Sequence, residues 1–162
     1  MTDTYRTALA EAGRDVLHLF KSGPGRCTAM TAVYVWRLRD MIDAPVFMVA
    51  GDLHAGRERL FGTGEPIDGP GIFSRYNHSW DGHAWLVLGP MLADISICRT
   101  AFSPRSPPLL AHHFRAMFSA TTGLVAADAT ALADMGLFYT PRYVLTDTEI
   151  SGLVPREPAH FE

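Results

Sequence analysis

Residues 25–31 are Gly-Arg-Cys-Thr-Ala-Met-Thr, and they stand where a glycine-rich break gives way to a long apolar segment. Gly23-Pro24-Gly25 ends whatever precedes it, because glycine and proline interrupt helices and strands. From Ala29 to Met41 the apolar residues recur at steps of three to five, which is the spacing of an amphipathic helix packed against a core. The sequence therefore predicts a helix over residues 27–42 with Cys27 at its N-terminus.

A cysteine at the start of a helix is a candidate nucleophile. The unpaired N–H groups and the positive end of the helix dipole favour an anion there, which lowers the pKa of the thiol and makes it more reactive. The alternative is packing, because free cysteine is among the residue types most often buried. Cys27 by itself does not decide between these two interpretations.

A second stretch adds the partners that a nucleophilic thiol needs. Residues 82–88 and 91–97 have the composition of two strands, and Gly89-Pro90 between them is a turn signal. Folding the pair about Leu88-Gly89 places His83 opposite Asp94 on one face of the hairpin. A carboxylate facing an imidazole fixes its tautomer and stabilises its protonated form. The order Cys27, His83, Asp94 is thus that of a nucleophile, a base and a residue that orients the base.

The same hairpin carries the second cysteine of the chain. We expect its second strand to continue through Cys98, which puts Ser96 and Cys98 on the face of Asp94. Cys98 could line the site or fill the core beneath it, and we favour the core.

Residues 52–81 have no clear periodicity and many glycines and prolines, so they are predicted to form a long loop. Because the loop leads directly into His83, we expect it to form a flap or pocket wall beside that residue. An ordered surface loop anchored by its aromatic residues is an equal alternative. The candidate substrate-binding residues are Asn77, Trp80 and Trp85.

The remaining elements follow from periodicity and composition. In chain order they are a helix over 4–21, a strand over 46–51, a short helix over 109–118, an alanine-rich helix over 126–135, and a strand over 137–145 with Pro141 at an edge or a bulge. The 162 residues predict a single domain with a core over 4–103, C-terminal helices and a strand over 104–154, and a frayed tail over 155–162.

Composition excludes several classes of function. Hydrophobic residues make up 48% of the chain, which is ample for a buried core, and the net charge of −3 gives no basic face for a nucleic acid. No apolar run is long enough for a membrane span, and we find no secretory signal. Two cysteines do not form a disulfide framework. We therefore expect a cytoplasmic protein with no membrane or nucleic-acid partner, and the oligomeric state is left open.

Metal and serine chemistry have weaker support. Cys27, His83 and Asp94 are all capable of ligating zinc, so a metal-dependent enzyme using these three residues is a lesser alternative. The sequence has no His-Glu-x-x-His or Cys-x-x-Cys pair, no Gly-x-Ser-x-Gly and no phosphate-binding loop. We expect no cofactor and no metal.

Three short motifs together resemble a known superfamily. They are Gly-Arg-Cys before a long helix, Gly-His-Ala-Trp-Leu, and Ala-Asp-Ile-Ser, all within residues 25–100. This set is similar to the bacterial transglutaminase-like branch of the papain-like fold. The resemblance implies an α+β fold in which the cysteine-bearing helix packs on an antiparallel sheet that carries the histidine and the aspartate.

The resemblance also implies a reaction. Cys27 would be the nucleophile, His83 the base and Asp94 the orienting residue in acyl transfer through a thioester, with a peptide, protein or small amide as substrate and water or an amine as acceptor. One departure is that the chain has no glutamine, whereas many papain-like enzymes bind the oxyanion with one. The backbone N–H of Cys27 and a donor from the loop before His83 would have to replace it. A catalytically inactive binding module of the same fold is the alternative from another class.

Overall fold

The computed structural model of the chain describes residues 3–20, 26–74, 80–117 and 123–155. The helices in these ranges are α1 (Asp3–Leu19), α2 (Cys27–Met41), α3 (Gly69–Phe73), α4 (Ile97–Ala101), α5 (Pro108–Met117), α6 (Ala129–Asp134) and α7 (Asp147–Leu153). The strands are β1 (Val46–Ala55), β2 (Glu58–Phe61), β3 (His83–Leu88), β4 (Met91–Asp94), β5 (Val125–Asp128) and β6 (Leu137–Val144). This confirms the predicted α+β class.

The strands form one antiparallel sheet in the order β2-β1-β3-β4-β5, and β6 pairs with β1. The predicted end of β1 at Gly51 is wrong, because the strand continues to Ala55 and pairs there with β2 and β6. Gly51 marks a close approach and not a strand end. A Cβ at this position would overlap the carbonyl oxygen of Thr140 on β6 and press on the ring of Trp85.

Alternation along the strands separates two apolar clusters, one on each face of the sheet. The first contains residues of α1, α2 and α7 together with Val46, Met48, Ala50, Ala84, Leu86 and Leu88. The second contains residues of α4, α5 and α6 together with Val49, Leu53, Trp85 and Leu92. Helix α2 packs against β1 and β3, as predicted, and is buried from Ala29 to Val35. The sheet therefore lies between helices on both faces.

The β3–β4 hairpin has a different register from the predicted one. Leu88 pairs with Met91 and Leu86 with Ala93, so that Gly89-Pro90 forms a two-residue turn with Gly89 at a φ of 57°. The prediction that His83 lies directly opposite Asp94 is therefore wrong by two residues, since it assumed a pivot about Leu88-Gly89. A shift of two residues keeps every side chain on its predicted face. His83 and Asp94 accordingly remain on one side of the sheet.

Two further predictions on the second half of the chain are corrected. Strand β4 ends at Asp94 and does not continue through Cys98, because the Asp94 carboxylate turns the chain into α4. Cys98 is buried in the second apolar cluster, as expected. The predicted helix over 126–135 is a strand to Asp128 and then α6, since the Asp128 side chain accepts a hydrogen bond from Ala131 N at 2.9 Å and caps the helix.

The C-terminal third agrees with the sequence in part. Strand β6 pairs with β1 alone among the described strands, and its register shifts beside Pro141, which confirms the predicted edge and bulge. Helix α7 was not predicted, although Thr146 and Glu149 form a complete capping box at its start. Of the predicted tail over 155–162, Pro155 is described and buried, and 156–162 lie outside the described residues.

Candidate active site

Cys27 is the first residue of α2 and is half-buried. The preceding residue supplies no side-chain hydrogen bond to the first turn of the helix, so backbone N–H groups and the helix dipole act on the thiol. Its Sγ lies 3.7 Å from the Thr28 hydroxyl oxygen, and the imidazole of His83 is close enough to lower the pKa of the thiol. The predicted placement of the thiol is confirmed.

His83 is the first residue of β3 and is about 1% exposed. Its Nε2 lies 2.5 Å from Asp94 Oδ2, and the thiol of Cys27 is the other titratable group that raises its pKa. The ring of Phe61 stacks on the imidazole with 5.3 Å between centroids and an interplanar angle of 23°. The imidazole is therefore enclosed between a thiol, a carboxylate and an aromatic face.

Asp94 is completely buried and both of its carboxylate oxygens are saturated by donors. Oδ2 accepts from His83 Nε2 and from the Tyr139 hydroxyl at 2.9 Å. Oδ1 accepts from Ser96 N at 3.0 Å, from Ser96 Oγ at 3.2 Å and from Ile97 N at 3.0 Å. A carboxylate held by donors on both oxygens is fixed in orientation.

The charges of the three residues support one another. Burial lowers the pKa of His83, but the Asp94 charge and hydrogen bond raise it by more, to about 10. Burial raises the pKa of the Cys27 thiol, but the hydrogen bond and charge of His83 outweigh this and lower that pKa below its usual value. Both shifts act in the same direction, toward a charged thiolate beside a charged imidazolium. In contrast, burial and then the Asp94 charge raise the pKa of Cys98 to about 11.

The candidate substrate-binding residues have different outcomes. Trp80 lies at the site, where its indole nitrogen donates to Thr28 Oγ1 at 3.1 Å. Trp85 is about 1% exposed and packs edge-on against Tyr139 inside the second apolar cluster, so the prediction that it contacts substrate is corrected. Asn77 lies outside the described residues.

The expected loop over 52–81 is only partly a loop. The segment contains the end of β1, the whole of β2 and α3. Phe61, the last residue of β2, stacks its ring on His83. This supports the interpretation of the segment as a wall beside His83. A second oxyanion donor was expected from the residues before His83. Of these, 75–79 lie outside the described residues, and the indole N–H of Trp80 is donated to Thr28.

Four residues of the site were not predicted from the sequence, namely Thr28, Phe61, Ser96 and Tyr139. The Asp-x-Ser pattern could have identified Ser96, because an aspartate often accepts from the backbone two residues later in a turn. Phe61 and Tyr139 come from distant strands, and no local pattern indicates their contact with the site.

The arrangement does not match the metal-dependent alternative. Within the part of the chain that the structure describes, no group of three or more His, Cys, Asp or Glu side chains is placed to hold a metal ion. Asp94 Oδ2 bonds His83 Nε2 directly, which leaves neither of these two atoms for a metal ion.

Comparisons with known proteins add no relative. No protein-family model matches the sequence, and neither a search of curated proteins nor a search of solved structures found a match. None of the helices in the described ranges combines the length and apolar character needed to cross a membrane.

Proposed function

We propose that the chain is a cysteine-dependent hydrolase or acyltransferase of the transglutaminase-like, papain-like type, acting on an amide or peptide bond. The observation that carries the proposal is the His83 imidazole, whose Nε2 lies 2.5 Å from the Asp94 carboxylate and whose charge lowers the pKa of the Cys27 thiol. The α+β architecture, with the cysteine at the start of a helix packed on an antiparallel sheet, supports the same assignment.

The geometry supports acyl transfer in two steps. The Cys27 thiolate attacks the carbonyl carbon, and the backbone N–H of Cys27 donates to the oxygen that becomes negative. The His83 imidazolium gives its proton to the leaving amine as the C–N bond breaks, which leaves a thioester and a neutral imidazole. Water or an amine then attacks the thioester, gives a proton to His83, and the Cys27 thiolate is released. Asp94 holds the imidazole in place throughout.

The proposed substrate is a peptide, a protein or a small amide, and the proposed setting is cytoplasmic. A reducing compartment suits this chemistry because a nucleophilic thiol must remain free of disulfides and oxidation. We propose no cofactor, since the three side chains supply the nucleophile, the proton carrier and its orienting group.

The first experiment measures the pH dependence of iodoacetamide alkylation at Cys27 by peptide mass spectrometry. Cys98 in the same molecule is the internal reference, because it is buried and its pKa is raised to about 11. We expect Cys27 to react rapidly at pH 6 in the wild type and to lose this reactivity in His83→Ala. A rate that rises only near the ordinary thiol pKa of 9.0 and ignores His83 would contradict the proposal.

The second experiment looks for the covalent intermediate. Incubation with an activated aryl ester should acylate Cys27 and leave Cys98 unmodified, and hydroxylamine should then release the acyl group as a hydroxamate. Cys27→Ala should neither bind the acyl group nor lose its fold, since the change is small and lies at a helix end. An alkylation profile of an ordinary thiol together with no acylation of Cys27 would favour the binding-module alternative.

A further inference from the structure

The hydroxyl group of Thr28 lies between Trp80 and the sulfur of Cys27. The indole nitrogen of Trp80 is 3.1 Å from Thr28 Oγ1, and Thr28 Oγ1 is 3.7 Å from Cys27 Sγ. Both distances are within hydrogen-bond range, because contacts to sulfur are longer than contacts to oxygen. The proposed catalytic residues, Cys27, His83 and Asp94, do not include either Thr28 or Trp80.

The chemistry of the groups gives this contact a direction. An indole N–H is a donor only, so the Thr28 oxygen accepts from Trp80. The hydroxyl keeps one proton of its own, and that proton is available to the sulfur. A thiolate has no proton to give, so Thr28 must be the donor whenever Cys27 is charged. The hydrogen bonds therefore run from Trp80 to Thr28 and from Thr28 to Cys27.

Packing fixes the indole ring that aims the hydroxyl. The ring of Trp80 meets Phe73 edge-on, with 5.2 Å between centroids and an interplanar angle of 81°. On another side it lies against the backbone of Gly82, where any Cβ would overlap the indole ring. The acceptor side of the Thr28 oxygen is thus occupied by a group that cannot easily move away.

We propose that Thr28 is a positioning residue that holds the Cys27 thiolate through its hydroxyl proton, and that the Trp80 indole N–H aims this hydroxyl. The assignment rests on the proposed function, in which the thiolate is the nucleophile. It adds a second donor to the thiolate, so that the sulfur is held from the Thr28 side as well as by the imidazole. The other charged groups that act on the sulfur are His83, which favours the thiolate, and Asp94, which opposes it.

The test is the midpoint of the Cys27 alkylation profile against pH in the full-length chain, with iodoacetamide as the probe and Cys98 as the internal reference. Thr28→Val keeps the shape of the side chain and removes the hydroxyl. We expect its midpoint to rise by about one pH unit, which is close to the lower limit of the contribution of a hydrogen bond to a charged group. This corresponds to about a tenfold loss of thiolate at any pH well below both midpoints.

Two further variants separate the hydroxyl from packing. Thr28→Ser restores the hydroxyl and should return the midpoint to the wild-type value. Trp80→Phe retains an aromatic ring and removes the N–H, so it should raise the midpoint by less than Thr28→Val does. Circular dichroism establishes that each variant is folded, and if Thr28→Val is not, Thr28→Ala takes its place in the same comparison.

The results distinguish this inference from the proposed function on which it rests. A wild-type midpoint in a folded Thr28→Val or Thr28→Ala would overturn the role of Thr28, and so would a raised midpoint that Thr28→Ser fails to restore. If His83→Ala raises the midpoint in the same series, the proposed function survives that result. If neither His83→Ala nor the Thr28 variants change the midpoint, both assignments fail.

Discussion

Replacing Asp94 with asparagine should abolish the heightened reactivity of Cys27 and the turnover of an ester substrate while leaving the fold intact. The two carboxylate oxygens accept from different kinds of donor. Oδ1 accepts from backbone N–H groups of Ser96 and Ile97, which cannot reverse their role. Oδ2 accepts from His83 and Tyr139, and both can reverse, the first by changing tautomer and the second by rotating its hydroxyl.

These roles decide which way the new amide points in Asp94→Asn. With its nitrogen toward Ser96 and Ile97, two buried donors lose their acceptor, at about 1–3 kcal/mol each. With its nitrogen toward His83, no backbone group is left unpaired, so this orientation is favoured. His83 Nε2 must then accept, and the proton moves to Nδ1, so neither ring nitrogen can accept another proton while this hydrogen bond is kept. An imidazole in that tautomer cannot take the proton of the thiol.

The same substitution removes the charge that keeps His83 protonated. Without the carboxylate, the thiol of Cys27 is the remaining group that opposes the effect of burial on the imidazole, so the pKa of His83 should fall from about 10. The Cys27 thiol then loses its cationic neighbour, and its alkylation midpoint should rise to 9.0 or above. Turnover of an activated ester should fall by about 10⁴-fold, as expected for a base held in the wrong tautomer.

The assay is the alkylation profile of Cys27 in wild type and Asp94→Asn, together with ester turnover and a thermal melt. Asp128→Asn is the matched control, because Asp128 caps α6 and asparagine caps a helix equally well. It should change neither the profile nor the turnover. A wild-type alkylation midpoint in a folded Asp94→Asn would refute the reasoning, because it would show that the Asp94 charge does not hold the imidazolium.

Three other predictions concern stability. Gly62→Ala should lower the melting temperature more than Gly56→Ala does, because both glycines have a positive φ but only at position 62 would a Cβ overlap Asp52; equal losses would contradict this. Tyr139→Phe removes one donor from the buried carboxylate and should cost about 1.5–3 kcal/mol in urea unfolding, and an unchanged midpoint would argue against that bond. Because the pKa of His83 is raised, its contribution to the free energy of unfolding should be complete below pH 6.5 and lost as the pH rises through about 10. If the free energy of unfolding of His83→Ala declines equally over this pH range, His83 is not the cause of the decline.

The parts of the fold that the sequence predicted are those with local signals. The glycine-rich break before Cys27 and the spacing of apolar residues after it predicted that α2 begins at Cys27, as it does. The continuation of β1 past Gly51 had no such signal. Glycine there serves the close approach of Thr140 and Trp85, and Thr140 is far away in sequence. A glycine that ends a strand and one that admits a neighbouring strand look the same in a local window.

The contact between His83 and Asp94 was predicted although the register of the hairpin was not. The assumed pivot put His83 opposite Asp94, whereas the Gly89-Pro90 turn moves the pairing by two residues. Because side chains alternate with a period of two, the error left both residues on one face, and the imidazole reaches the carboxylate diagonally. An error of one residue would have separated them. The prediction of the pair therefore depended on the parity of the turn and not on its exact position.

Asp94 shows why a local sequence pattern predicts only some of the hydrogen bonds that hold a buried carboxylate. Oδ1 of Asp94 is fixed by Ser96 and Ile97, two and three residues later, and this bonding also ends β4 and begins α4. Oδ2 is fixed by His83 and by Tyr139, and Tyr139 belongs to β6, a strand distant in sequence that pairs with β1. The hydrogen bonds to Oδ1, from residues close in sequence, hold the carboxylate rigid. The hydrogen bonds to Oδ2, from residues distant in sequence, direct it toward the imidazole. An Asp-x-Ser pattern whose aspartate ends a strand therefore indicates a carboxylate held rigidly by the backbone that follows. When the neighbouring strand carries a histidine, this carboxylate is a candidate partner for the imidazole, and further donors such as Tyr139 come from parts of the fold that no local pattern reveals.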